Sequence, residues 1–66
     1  MNIVLNGEPA SLEDGATLVT LVRGMSLEGK RYAVEVNEEV VPRSEHALYR
    51  LSDGDRVEIV HAIGGG

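Results

Sequence analysis

Hydrophobic positions along the chain are clustered, and their spacing changes from one cluster to the next. The first five residues are apolar apart from Asn2, and Asn6-Gly7 follows at once. An Asn-Gly pair tolerates the positive φ angles of a tight type I′ turn, so the pattern predicts a hairpin. Its second strand runs through about Leu12, with Pro9 at a position that need not donate to the ladder, and Asp14-Gly15 ends it. Leu18, Leu21, Val22 and Met25 then recur at i, i+3, i+4 and i+7, one stripe of an amphipathic helix. Thr17 is placed to cap that helix and Gly24 to end it, which leaves roughly two turns. Ser26 to Arg31, with Gly29 inside, reads as a polar loop.

Beyond the loop the period falls to two. Tyr32, Val34 and Val36 alternate with Ala33, Glu35 and Asn37, a strand pattern. Asn37-Glu38-Glu39 turns the chain, Val40-Val41 is a brief apolar pair, and Pro42 stops it. His46 to Leu51 reads as another short strand, Asp53-Gly54-Asp55 as a turn, and Val57, Ile59 and Val60 as the last strand. A hairpin, one helix and further strands make an α+β roll: a mixed sheet of four to five strands that buries one face under one short helix. The first and last strands are the most apolar and belong side by side in the middle, a β-grasp-like arrangement. With Met1, Ile3, Leu5, Val57 and Ile59 facing the helix, alternation turns Val4, Val60 and Ala62 outward. Val40 joins them because Val41 must point the other way. Apolar side chains on an uncovered sheet face are candidate partner contacts, although scattered exposed valines are also ordinary.

Composition narrows the function. Sixty-six residues make one domain, which buries only roughly 60% of its unfolded surface and leaves little room for a deep cleft. The absence of Cys excludes disulfides, thiolate metal sites and a thiol nucleophile. A net charge of −5 without Phe or Trp argues against nucleic acid as a partner. No segment reaches the ~20 apolar residues needed to cross a bilayer, and the amino terminus lacks the features of a signal peptide. The expected setting is cytoplasmic, with no membrane or nucleic acid involved and a monomeric free form.

The most informative feature is the ending Ala62-Ile63-Gly64-Gly65-Gly66. Three glycines are unfavourable inside a packed strand. They divide the chain into a domain over residues 1–62 and a flexible tail over residues 63–66. A tail without β-carbons fits a narrow channel and presents the Gly66 carboxylate to another enzyme; composition alone leaves a frayed terminus or a cloning remnant equally open. The other candidates are weaker. His46 and His61 have no carboxylate at ligand spacing, and Asp53-Gly54-Asp55 lacks the further oxygen ligands and distal Glu of a calcium loop. Glu38 and Glu39 diverge as neighbours, and Ser11, Ser26, Ser44 and Ser52 have no base nearby in sequence. No catalytic constellation emerges.

Taken together the residues resemble the ThiS family of small sulfur carriers in thiamin biosynthesis. The markers are Asn6, Gly15 and Thr17-Leu18 ahead of Leu21, and Ala33-Val34-Glu35-Val36-Asn37. Val41-Pro42-Arg43, Asp53-Gly54-Asp55 and Val60-His61-Ala62-Ile63-Gly64-Gly65-Gly66 complete them. The resemblance implies a ubiquitin-like β-grasp fold and a protein co-substrate rather than an enzyme. It implies that a ThiF-type adenylyltransferase consumes ATP to convert the carboxylate of Gly66 into an acyl-adenylate. A sulfur donor such as a cysteine desulfurase then supplies the sulfur of a thiocarboxylate, which thiazole synthase takes up. Gly65 would thread the channel, and Gly64 matches a variable position. The carrier itself would hold no cofactor or metal. Val4, Val40, Val60 and Ala62 are the docking candidates, with Arg43 a polar contact at their rim or, alternatively, a structural hydrogen-bond donor after Pro42.

Other readings differ in what they require. The small subunit of molybdopterin synthase also ends in Gly-Gly but is generally longer. A ubiquitin-like protein modifier would form isopeptide ladders. A β-grasp interaction module would need the sheet-face patch and not Gly66.

Overall fold

The computed structural model describes residues 1–27 and 29–61. The five strands are β1 (Asn2–Leu5), β2 (Glu8–Ser11), β3 (Tyr32–Val36), β4 (Glu39–Val41) and β5 (Arg56–His61). They form one mixed sheet in the order β2-β1-β5-β3-β4, and α1 (Leu18–Arg23) lies between β2 and β3 in the chain. The first and last strands are neighbours and run parallel, with Val4 opposite Arg56 and Leu5 opposite Val57. The remaining pairs are antiparallel. Pro9 lies on β2, an edge strand, where a missing N–H is tolerated.

Both hairpins turn through two residues of positive φ. Asn6 and Gly7 stand at +50° and +83°, Asn37 and Glu38 at +52° and +72°, the signature of type I′ turns. Each asparagine also tethers β5. Asn6 Oδ1 accepts the Ile59 N–H at 2.8 Å, and Asn37 Oδ1 accepts the Arg56 N–H at 3.0 Å. Asn37 Nδ2 donates to Asp55 Oδ1 at 3.0 Å, which links the second hairpin to the turn before β5.

Helix α1 is short and depends on its surroundings. Thr17 Oγ1 accepts the Thr20 N–H at 3.4 Å, while the Leu18 and Val19 N–H groups donate to the carbonyls of Tyr49 and His46. The unpaired donors of the first turn are thus met by a cap and by a distant loop. Gly24 ends the helix in ordinary right-handed geometry, and the chain reverses two residues later at Ser26, whose φ is +56°. Met25 therefore falls beyond the helix, where it still packs half-buried against the core.

The core joins Leu18, Leu21 and Val22 of the helix to Ile3, Val34, Val36, Val41 and Val57 of the sheet, with Leu27 and Leu51 from loops. Met1, Leu5 and Ile59 pack against it partly buried, on the face expected from alternation.

One predicted element is absent. The segment from His46 to Leu51 is not a strand: it continues a single 3₁₀ turn (Arg43–Glu45) through further turns to Tyr49. Only Arg50 makes a sheet-like contact, with Thr17. The N–H groups of Glu45, His46, Leu48 and Tyr49 donate to carbonyls three or four residues back, so no ladder is needed to satisfy them.

Candidate functional site

The tail residues Gly64, Gly65 and Gly66, and Ala62 with them, lie outside the described residues. What the structure positions is the strand that leads to them. β5 is central in the sheet, and its last residue, His61, stands opposite Tyr32 of β3.

The sheet face away from the helix holds the other candidates. Val40 is 64% exposed and Val60 47%, whereas Val4 is half-buried. They share this face but do not touch as one patch. Val4 on β1 and Val40 on β4 are three strands apart, about 14 Å at the usual strand spacing. Val60 stands opposite Ala33, and Val40 stands opposite Glu35. Between the valines runs a polar row: Glu58 of β5 opposite Glu35 of β3. Sequence reasoning misses this pairing, because it requires the β3–β5 register as well as the alternation within each strand.

Arg43 is not part of that face. Its guanidinium stacks over the Tyr32 ring, 4.3 Å from the centroid, and Tyr32 packs against the core on the helix side. Its observed contact is thus a cation–π stack. Beside it a groove of about 390 Å³ is lined by Val19, Val22, Arg23, Tyr32 and Arg43, with His46 at its wall. The groove brings together two guanidiniums and apolar side chains but no nucleophile paired with a base.

The two histidines separate in role. His61 is exposed at the end of β5. His46 is the buried polar residue of the core, 4% exposed, with Nε2 donating to the Val41 carbonyl at 3.0 Å. Because a carbonyl only accepts, that contact requires the proton on Nε2. Asp53 and Asp55 are occupied as structural acceptors: Asp53 Oδ1 takes the Asn2 N–H at 2.7 Å and Asp55 Oδ2 the Ser52 N–H at 2.8 Å. Leu48, which sequence reasoning assigned to a strand, is instead 85% exposed on the turn segment. Among the described residues no helix is long and apolar enough to cross a membrane.

Comparison with known proteins bears directly on this arrangement. Residues 3–66 match the ThiS family. The chain is 45% identical over 62 residues to the sulfur carrier protein ThiS of Thermus thermophilus, covering 94% of this chain and 95% of that one. It is 44% identical over 66 residues to a thiazole synthase of Magnetococcus marinus, covering all of this chain but only 20% of that protein. The chain therefore spans about a fifth of the thiazole synthases it matches. A crystal structure of the thiamine biosynthesis protein (ThiS) from Geobacter metallireducens superposes with a TM-score of 0.84 at 29% identity, each chain covered completely. With a β-grasp sheet in the same architecture and a family match that includes the terminal glycines, this chain belongs to the ThiS family of sulfur carriers in thiamine biosynthesis.

Proposed function

We propose that this chain carries sulfur on Gly66. Its carboxylate attacks the α-phosphorus of ATP within an adenylyltransferase of the ThiF type, expelling pyrophosphate and leaving an acyl-adenylate. A carboxylate is a poor electrophile, and the adenylate provides the leaving group that it lacks. The terminal sulfur of a persulfide on a donor such as a cysteine desulfurase displaces AMP to give an acyl disulfide, and two further thiols, oxidised to a disulfide, cleave its S–S bond to leave the thiocarboxylate and release the donor's thiol. Thiazole synthase then receives the sulfur. Gly65 and Gly64 give the tail a backbone without side chains, suited to a narrow channel. Catalysis belongs to the partners, and ATP is consumed in the adenylyltransferase rather than held by the carrier. All of this takes place in the cytoplasm.

The observation that carries this reading is the family match over residues 3–66, which includes the three terminal glycines. The match to proteins named thiazole synthase supports that enzyme as the acceptor. The test is the intact mass of the protein after incubation with ATP, the adenylyltransferase and a sulfur source. The expected result is replacement of one oxygen by one sulfur, lost on deletion of Gly66 while the melting curve is unchanged. An unaltered mass with a demonstrably active adenylyltransferase would instead support a β-grasp interaction module. The starting mass also tests whether Gly66 bears the free carboxylate that the reaction requires.

A further inference from the structure

The groove beside Arg43 carries a charge opposite to that of the whole chain. Against eleven acidic residues the sequence has six lysines and arginines. Two of these, Arg23 and Arg43, line the groove of about 390 Å³, and no carboxylate stands among its described lining residues. Lys30 and Arg31 lie in the chain between two further lining residues, Gly29 and Tyr32. Despite the excess of acids, neither Arg23 nor Arg43 makes an ion pair among the described residues. Arg43 is held by its face on the Tyr32 ring, which leaves the N–H edge of the guanidinium open. The third polar group is His46, nine-tenths or more buried. Its Nε2 proton is occupied by the Val41 carbonyl, so in that tautomer Nδ1 is an acceptor. Nδ1 makes no hydrogen bond among the described residues, yet every fully buried side-chain nitrogen and oxygen among them has a partner. Nδ1 therefore reaches solvent, and the groove is the opening that His46 lines.

We propose that this groove binds a phosphate monoester with an apolar organic group. The phosphoryl oxygens accept from Arg23 and Arg43, a protonated phosphoryl oxygen donates to His46 Nδ1, and the organic group packs along Val19, Val22 and Leu27. Donor chemistry selects the phosphate over other anions. A carboxylate or a sulfate ester is acceptor-only at neutral pH, so it would set its lone pairs against that of Nδ1. A phosphodiester has no titratable proton either, which excludes a nucleic-acid backbone. A phosphate monoester has a second pKa of about 6, so near neutral pH it accepts from guanidiniums and still has an O–H to donate. A groove of about 390 Å³ is in the range of small-molecule sites, and its apolar walls match an organic group rather than inorganic phosphate alone. The site lies on the helix side of the sheet and does not depend on the sulfur-carrier reading.

The test is a titration followed by amide NMR, near neutral pH in a phosphate-free buffer, with phenyl phosphate, phenyl sulfate and inorganic phosphate as probes. Phenyl phosphate is expected to shift the amides of Arg23, Gly29, Tyr32 and Ala47 saturably, and to bind on the order of tenfold more tightly than phenyl sulfate. Inorganic phosphate shifts the same amides but binds more weakly, because it leaves the apolar walls uncovered. Arg23→Gln removes an exposed guanidinium and weakens phenyl phosphate on the order of tenfold. His46→Gln keeps an N–H donor for the Val41 carbonyl but loses the Nδ1 acceptor, so it binds phenyl phosphate and phenyl sulfate about equally. Each variant is melted alone, so weaker binding cannot be mistaken for unfolding. If His46→Gln does not fold, Arg23→Gln and the phosphate–sulfate comparison on the natural chain still decide. Shifts that scatter over the surface or fail to saturate would overturn the proposal. So would equal affinity of the natural chain for the two esters, or an unchanged affinity in Arg23→Gln. Inorganic phosphate binding as tightly as phenyl phosphate would overturn the assignment of an organic ligand.

Discussion

Replacing Asn6 tests how the sheet holds the strand that leads to the tail. Asn6 stands at φ +50°, and its side chain accepts the Ile59 N–H at 2.8 Å while its own N–H donates to the Val57 carbonyl at 2.9 Å. Alanine at this site loses the side-chain acceptor, about 0.5–1.5 kcal/mol for a typical hydrogen bond. It also takes on the left-handed backbone penalty of about 1–2 kcal/mol, part of which asparagine avoids. Asn6→Ala is therefore expected to cost about 2–3 kcal/mol, which in a domain of this size lowers the melting temperature by about 10–20 °C. Asn6→Asp keeps an oxygen at the same place and a tolerance for positive φ, so it should stay within about 0.5 kcal/mol of the natural chain. Thermal melts by circular dichroism measure both, and amide exchange at Ile59 reports the lost contact directly. Equal losses for the two variants would show that the acceptor does not matter. An alanine variant that melts within about 2 °C of the natural chain would refute the whole account.

Other sites give independent expectations. His46→Ala removes a buried ring and the donor to the Val41 carbonyl, so a loss of about 2–4 kcal/mol in chemical denaturation is expected. Sulfur acquisition measured by mass at low temperature should persist in that variant, because His46 lies in the core and not on the tail strand. Thr17→Ala removes the cap that receives the Thr20 N–H and should cost about 0.5–2 kcal/mol, whereas Thr17→Ser should recover most of it. Arg43→Ala should cost about 0.5–1 kcal/mol through loss of its stack on Tyr32, seen as a small melting shift. An effect of Arg43→Ala on partner affinity much larger than on stability would contradict the structural role assigned to that stack.

Much of the fold is legible in the sequence because local chemistry and hydrophobic period agree. Asn6-Gly7 demands a turn, and the alternation on either side sets which face is buried. The helix is legible from Leu18, Leu21 and Val22, and Gly24 ends it as read from the sequence. What the sequence does not mark is the left-handed residue two positions later, Ser26. His46 to Leu51 is misread. Its mixture of apolar and polar residues fits a short strand, yet its N–H groups find acceptors within the same segment, and two of its carbonyls serve the helix. That exchange between segments far apart in sequence leaves no periodic trace. The valines of the outer face are legible as outward-pointing, but the carboxylate row between them depends on strand order and register.

The tethering of β5 is graded along its length, from the start of the strand toward the terminal glycines of the sequence. Near its start β5 is held from both sides: Asn37 takes the Arg56 N–H, β1 pairs with Arg56 and Val57, and Asn6 takes the Ile59 N–H. Beyond Ile59 the register continues only with β3, through Ala33 opposite Val60 and Tyr32 opposite His61. A strand with partners on one side opens at lower free energy than one held on both. Amide exchange should therefore be slowest at Arg56 and Ile59 and faster at His61, with Asn6→Ala accelerating Ile59 more than Arg56. If His61 were protected as well as Ile59 in the isolated protein, the anchorage would have to extend to the end of the strand, and the tail root would be as rigid as the core.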